Sequence, residues 1–83
     1  VERVRDLPDD ETWLIDRRRA TGDRIRAERM RQNLTQDKVW LAAGISRGTF
    51  QRAEAGQEVT VSTLRRIAWV LDVPLSRLIN EHD

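Results

Sequence analysis

Between Ser46 and Glu54 the chain places Arg47, Thr49, Gln51 and Arg52, with Gly48 among them, so the side chains offered are hydrogen-bond donors and acceptors and not a nucleophile beside a base. A guanidinium donates in a planar fork that suits the acceptor edge of a guanine or the oxygens of a phosphate. Arg47 and Arg52 fall in the first and second turns of a helix, where such groups reach base edges or phosphates in a major groove. The chemistry open to this set is recognition, not bond making.

Two short helices are needed to present these residues. Thr35 is suited to accept from the orphaned amides of a helix running from about Gln36 to Ala43. Gly44 stops that helix in a left-handed conformation that other residues adopt only with strain. Ser46 then caps a second helix, Arg47 to Glu54, only a few residues later, and so short a turn forces the two axes far from parallel. Val39, Ala43, Ile45 and Phe50 fill the angle, which leaves Arg47, Gly48, Thr49, Gln51 and Arg52 on the outer face. An ordinary helical hairpin with a solvated, Arg-bearing face has the same local pattern, so these residues alone leave both readings open.

At 83 residues the chain is one domain, near the lower end of what buries a self-sufficient core, and dimerisation would add to its stability. It has no cysteine, hence no disulfide framework or thiolate metal site, which fits a reducing cytoplasm. No apolar run approaches the roughly 20 residues of a membrane span and no signal-peptide pattern opens the chain, so a soluble, cytoplasmic protein without a membrane partner is expected. Val1 in place of Met suggests a trimmed start. A glycine-rich phosphate loop, a nucleophile with a matched base and a second histidine are all missing from the sequence, so no catalytic residue, no cofactor and no enzymatic activity are expected. The lone His82 reads as a solvated tail residue, because no second His or Cys completes a metal site.

Net charge is only +1, but it is unevenly spread. Residues 1 to 16 carry six acidic and two basic side chains, a net of −4, and residues 17 to 31 carry seven arginines against Asp23 and Glu28, a net of +5. The basic segment is either a source of salt-dependent phosphate contacts or a solvated helix face.

The whole chain reads as helix and loop. After Pro8, with Asp9 or Asp10 as cap, a helical stretch extends to about Gln32, and Gly22 inside it, which costs roughly 1 kcal/mol relative to Ala, marks a bend or a break. Asn33 and Leu34 turn into the central pair, and Gly56 to Val59 form the loop that follows it. Thr60 caps a helix through about Leu71, whose Leu64, Ile67, Ala68 and Leu71 repeat at helical spacing. Val73 and Pro74 introduce a short last helix ending near Ile79, with Leu75, Leu78 and Ile79 closing the core. No period-2 pattern occurs, so the fold class is all-α. Residues 1–20 are a partly helical N-terminal extension, 21–80 the domain proper and 81–83 a tail.

From Gly22 to Ile79 the segments GDRIRAERMRQNLTQ, LAAGISRGTFQRAEAG and STLRRIAWVLDVPLSRLI resemble the phage Cro and repressor type helix-turn-helix family, also called Xre-like, over 58 of the 83 residues. The resemblance implies a compact five-helix, DNA-binding transcription regulator, commonly a homodimer, on double-stranded DNA. It further implies that Gln36 bonds a DNA phosphate and braces the recognition helix. Arg47, Gly48 and Arg52 fall where the family's base-contacting side chains sit, with Ser46 and Thr49 nearer the backbone. Arg29 and Glu54 match a structural ion pair that ties the first helix to the end of the recognition helix. The dimer contact is implied near residues 60 to 63 and around Leu75.

Departures from the family pattern carry their own expectations. Trp40 stands where a small Ala is usual, and Ala53 where a large apolar residue is usual, so the Trp40 ring is expected to occupy volume released by Ala53. The rival account makes Trp40 and Leu41 an exposed partner patch. Gly48 offers no side chain at a base-reading position, and Val59, Thr60, Val61 and Ser62 supply no Arg for the minor groove, so specificity rests on few direct contacts. Trp13, Leu14 and Ile15 either pack on the domain, with Trp69 as the residue that receives them, or meet a second subunit. Two function classes follow. One is a DNA-binding regulator, whether repressor, activator, phage or plasmid control protein, or antitoxin; the other is a protein-interaction module of the same fold, holding its partner through Trp40, Leu41 or Trp13.

Overall fold

Five helices follow one another along residues 3–79, the part of the chain that the computed structural model describes. They are α1 (Thr12–Arg31), α2 (Gln36–Ala43), α3 (Arg47–Glu54), α4 (Val61–Leu71) and α5 (Leu75–Leu78), and no strand occurs among the described residues. His82 lies outside them. The fold is all-α, as the sequence pattern implies.

Local chemistry fixes the ends of the central helices. Thr35, Ser46 and Thr60 have extended backbones, and their hydroxyls accept from the amides of Lys38, Thr49 and Thr63, each at 3.1 Å. Each of these bonds satisfies an amide that the helix itself leaves orphaned. Gly44, at φ 69°, ends α2, and Arg66 of α4 donates from Nη1 to the Ala43 carbonyl at 3.2 Å, placing a cation at the negative end of that helix. Asn33 (φ 57°) turns α1 into α2, and Asp72 (φ 56°) ends α4, both being residue types that tolerate the left-handed region.

The first helix differs from expectation in two ways. Its cap position is Glu11, whose side chain makes no capping bond; Asp10, one residue earlier, accepts from the Thr12 amide at 2.9 Å instead. And α1 passes through Gly22 without a break. A Cβ on Gly22 would lie 2.5 Å from the Glu54 carbonyl oxygen and 2.9 Å from both the Ala53 carbonyl oxygen and the Gly56 amide nitrogen. Gly56, at φ 80°, answers from the other side, where a Cβ would lie 2.8 Å from Cα of Arg19. The glycine in α1 therefore serves close approach: the helix presses backbone to backbone against the end of α3.

Ile25, Val39, Phe50, Ile67, Leu71 and Leu78 are completely buried, and Ala43, Ala53 and Ala68 nearly so. Ile45, Leu75 and Ile79 are half-buried around them. Two polar ties cross this core. Gln32 donates from Nε2 to the Leu71 carbonyl at 2.7 Å, joining α1 to α4, and the buried Glu28 accepts from Arg31 at 2.8 Å and from Arg77 of α5 at 3.3 Å.

The tryptophans depart from their expected places. Trp40 is half-buried against the core and donates from Nε1 to Asp37 Oδ1 at 2.9 Å. The space beside Ala53 is an open groove of about 290 Å³ that Trp40 does not line, so the indole does not fill the volume that Ala53 leaves. Leu41, its neighbour, is 64% exposed. Trp69 is 86% exposed and receives nothing from the N-terminal segment. Trp13 is not among the side chains packed on the core; it lies against the Arg17 guanidinium, 5.3 Å from the ring centroid, in a cleft with Leu7 and Pro8. The reason is helical rise: in an unbroken helix Trp13 sits about 18 Å ahead of Ile25, the residue that enters the core. No helix among the described residues is long and apolar enough to cross a membrane.

Two outcomes are expected. Gly22→Ala gains about 1 kcal/mol of helix propensity but must displace the end of α3, an overpacking cost of about 1–3 kcal/mol; a lower urea midpoint is expected, and a raised one would show that the contact is loose. The Arg31 guanidinium, with Arg77, holds the Glu28 carboxyl below its ordinary value of 4.5 in spite of its burial. A carboxyl lowered in the folded state contributes stability that is complete above the ordinary value and lost as pH falls through the lowered one. Glu28→Gln should therefore be the less stable chain at neutral pH and should lose less on acidification, which urea midpoints on either side of that value will read.

Candidate nucleic-acid interface

Helix α3 turns Phe50 and Ala53 inward, where both are buried, and leaves Arg47, Gly48, Gln51 and Arg52 exposed. On the outer face the hydroxyls form a short chain. Ser46 Oγ donates to Thr49 Oγ1 at 2.8 Å while accepting from the Thr49 amide, and Arg52 Nη2 donates to the same Thr49 Oγ1 at 3.3 Å. Arg52 is thus drawn back along the helix toward its first turn. Arg47 has no hydrogen-bond or ion-pair partner among the described residues. Gly48 is not required by packing, since the nearest atom to an added Cβ is Arg52 Nη1 at 3.9 Å. It leaves bare backbone between the two arginines.

The inner end of α3 is fixed by one carboxylate. Glu54, its side chain 6% exposed, accepts from Arg29 Nε at 2.6 Å and from Arg29 Nη2 at 3.3 Å. It also accepts from Gln36 Nε2 at 2.9 Å. Arg29, 13% exposed, uses Nη1 to hold the Leu34 carbonyl at 2.9 Å in the turn before α2. So α1, the turn after it, α2 and α3 meet on a single buried group. Gln36 spends one amide hydrogen on Glu54 and keeps a second, which an amide side chain can give to another acceptor.

The structure thus brings Arg29, Gln36 and Glu54 together, strings Ser46, Thr49 and Arg52 along one face, and leaves Arg47 and Gly48 exposed, Arg47 without a hydrogen-bond or ion-pair partner among the described residues. The basic stretch of α1 is not one continuous phosphate-binding face. Arg29 is committed to Glu54, Arg31 to Glu28, Arg17 lies over Trp13, and Arg18 lines the groove beside Ala53. Three positioning residues lay beyond sequence reasoning: Arg66, whose target Ala43 is 23 residues away, Gln32, 39 residues from Leu71, and Gly56, which mirrors Gly22. Gly56 alone carried a signal, a glycine directly after a helix. Among the described residues no group of three or more His, Cys, Asp or Glu side chains is placed to hold a metal ion.

Removing Glu54 strands the Arg29 guanidinium in a site that water barely reaches. Glu54→Ala should therefore cost about 3–5 kcal/mol, while Arg29→Met with Glu54→Leu should cost much less than the two single losses together. Urea denaturation of Glu54→Ala, of Arg29→Met and Glu54→Leu singly, and of the double variant checks this, and additive losses in the cycle would show that the two side chains do not act as a pair.

Comparison with known proteins follows the same lines as the geometry. A helix-turn-helix family model matches residues 25–78, from within α1 to the end of α5. No curated protein sequence matches the chain. Among solved structures it is similar to the restriction-modification controller protein C.AhdI from Aeromonas hydrophila, with a TM-score of 0.70 and 26% identity over 74% of this chain and 94% of that one. The matched stretch takes in both capped helices, Gly44 between them and the Arg29, Gln36 and Glu54 brace, and on that match the chain belongs to the Cro and repressor type helix-turn-helix family of DNA-binding proteins.

Proposed function

We propose that this protein is a sequence-specific regulator of transcription that lays α3 in the major groove of double-stranded DNA, as a homodimer on an inverted repeat. One observation carries the reading: the only side chains on the exposed face of α3 that extend a guanidinium, Arg47 and Arg52, stand on a helix whose C-terminal end is fixed from inside by Glu54. A fixed helix is what base reading needs, because a bidentate contact discriminates only when its donors arrive in register. Guanine is the base that each guanidinium suits best. Gln36, with its remaining amide hydrogen, and the hydroxyls of Ser46 and Thr49 serve the phosphate backbone and set the register. Gly48 lets the helix backbone come close to the groove. A twofold dimer would present its recognition helices about 34 Å apart, one per half-site. C.AhdI, to which the fold is similar, is a controller protein, and a controlling role without catalysis is the one proposed here.

The test is selection of bound sites from a random duplex library at near-physiological salt, run in parallel with a chain carrying Arg47→Ala and Arg52→Ala. An inverted repeat is expected for the natural chain and none for the double variant. On the selected site Arg52→Ala should cost about 1–3 kcal/mol and relax the preference at one position, whereas Gln36→Ala should weaken all sites evenly. Equal losses on selected and random DNA for Arg52→Ala would refute a base-reading role. No enrichment from a folded protein would turn attention to a protein partner at Leu41, which is exposed beside Trp40.

A further inference from the structure

The groove beside Ala53 runs between the first half of α1 and the start of α4, and its walls include Leu14, Arg17, Arg18, Glu58, Val61 and Ile79, of which Arg17 is already engaged over the Trp13 ring. Most of that wall is apolar, and Val61 is 53% exposed on it. Two charged groups in the groove are unanswered. Arg18 Nε is buried from solvent and has no hydrogen-bond partner, which is a costly state for a guanidinium nitrogen. Glu58 is exposed and makes no ion pair or hydrogen bond among the described residues. The two line one groove, yet they do not pair with each other.

We propose that this groove is the surface on which two copies of the chain dimerise, with Arg18 of each copy paired to Glu58 of the other. The inference rests on the dimeric reading above and says where that dimer is made. A surface bearing an unpaired cation beside an unpaired anion is self-complementary under a twofold axis, because residue i then meets j while j meets i. An anionic ligand would satisfy Arg18 but face Glu58, and a cationic one would face Arg18; a second copy brings both charges in the required order. Leu14, Val61 and Ile79 supply apolar area to bury, and the charges fix its register. Family resemblance implies a contact near residues 60 to 63 and Leu75; the groove keeps Val61 and extends the contact onto α1 instead. This gives a role to Thr12–Arg24, the part of α1 that precedes the family match.

The arrangement is tested by measuring dimer dissociation of the full chain by sedimentation equilibrium for Arg18→Glu, for Glu58→Arg, and for an equimolar mixture of the two, with circular dichroism to establish that each is folded. Alone, each variant opposes like charges across both halves of the interface, and its dimer Kd should rise by about tenfold or more. Mixed, one copy carries a carboxylate at both positions and the other a guanidinium at both, so opposite charges face each other again in both halves. A heterodimer should then form with a Kd close to that of the natural chain. If Arg18→Glu does not fold, Glu58→Arg must still weaken the dimer, and Glu58→Gln must weaken it less. A natural dimer indifferent to the single changes, or a mixture that does not recover, overturns the groove assignment and leaves the dimeric reading in place. A natural chain that stays monomeric where it binds its selected DNA site overturns both.

Discussion

Glu54 ends α3, and because its carboxylate accepts from Arg29 on α1 and Gln36 at the start of α2, three helices take their mutual orientation from one group. Burying a carboxylate is expensive, and a buried ion pair returns little net stability even when it is well made. What it returns here is direction: three donors arriving at two oxygens leave the end of α3 few ways to turn. Helices α2 and α3 have eight residues each, shorter than the roughly 12–15 at which an isolated helix becomes even marginal in water. Their existence therefore depends on hydroxyl caps, on the buried Val39, Ala43, Phe50 and Ala53, and on this carboxylate.

The Gly22 and Gly56 contact acts at the same end of α3 by a different force. The Glu54 side chain is held by hydrogen bonds, while its carbonyl lies in the space that a side chain at position 22 would fill. Electrostatics and excluded volume thus converge on one residue. Position 19 of α1 backs the following loop at Gly56, so the twenty residues of α1 form a strut along which α3 is set. The outer face of α3 contributes nothing to this fixation.

What is legible in the sequence is what is local. Thr35, Ser46 and Thr60 announce helix starts because their bonds reach only three residues ahead, and Gly44 announces a stop because its own φ is at issue. The stripe of Leu64, Ile67, Ala68 and Leu71 finds the buried face of α4, and it already places Trp69 off that face; the size of the indole argues otherwise, and the stripe is the better guide. Gly22 misleads because the cost of a glycine in a helix is local while its benefit comes from a carbonyl 32 positions away. The exchange of Trp40 for Ala53 matches in volume but not in place, which periodicity does not resolve. In the candidate site, the separation of 25 positions from Arg29 to Glu54 is bridged only by resemblance to a family, whereas the hydroxyl chain from Ser46 through Thr49 to Arg52 follows helical spacing and lies within reach of it.

Arg47 and Gly48 are exposed, a side chain at position 48 would meet only the Arg52 guanidinium, and Arg52 makes one exposed hydrogen bond, to Thr49. Substitutions at these three positions meet little resistance from the fold, since none of them touches the carboxylate brace or the glycine contact. In evolutionary terms, under the function proposed above, the part of the surface that would set target preference is free to drift while the part that holds it is not. A duplicated copy of such a gene would pass to a new target through a few viable single changes, without first acquiring compensating stability elsewhere.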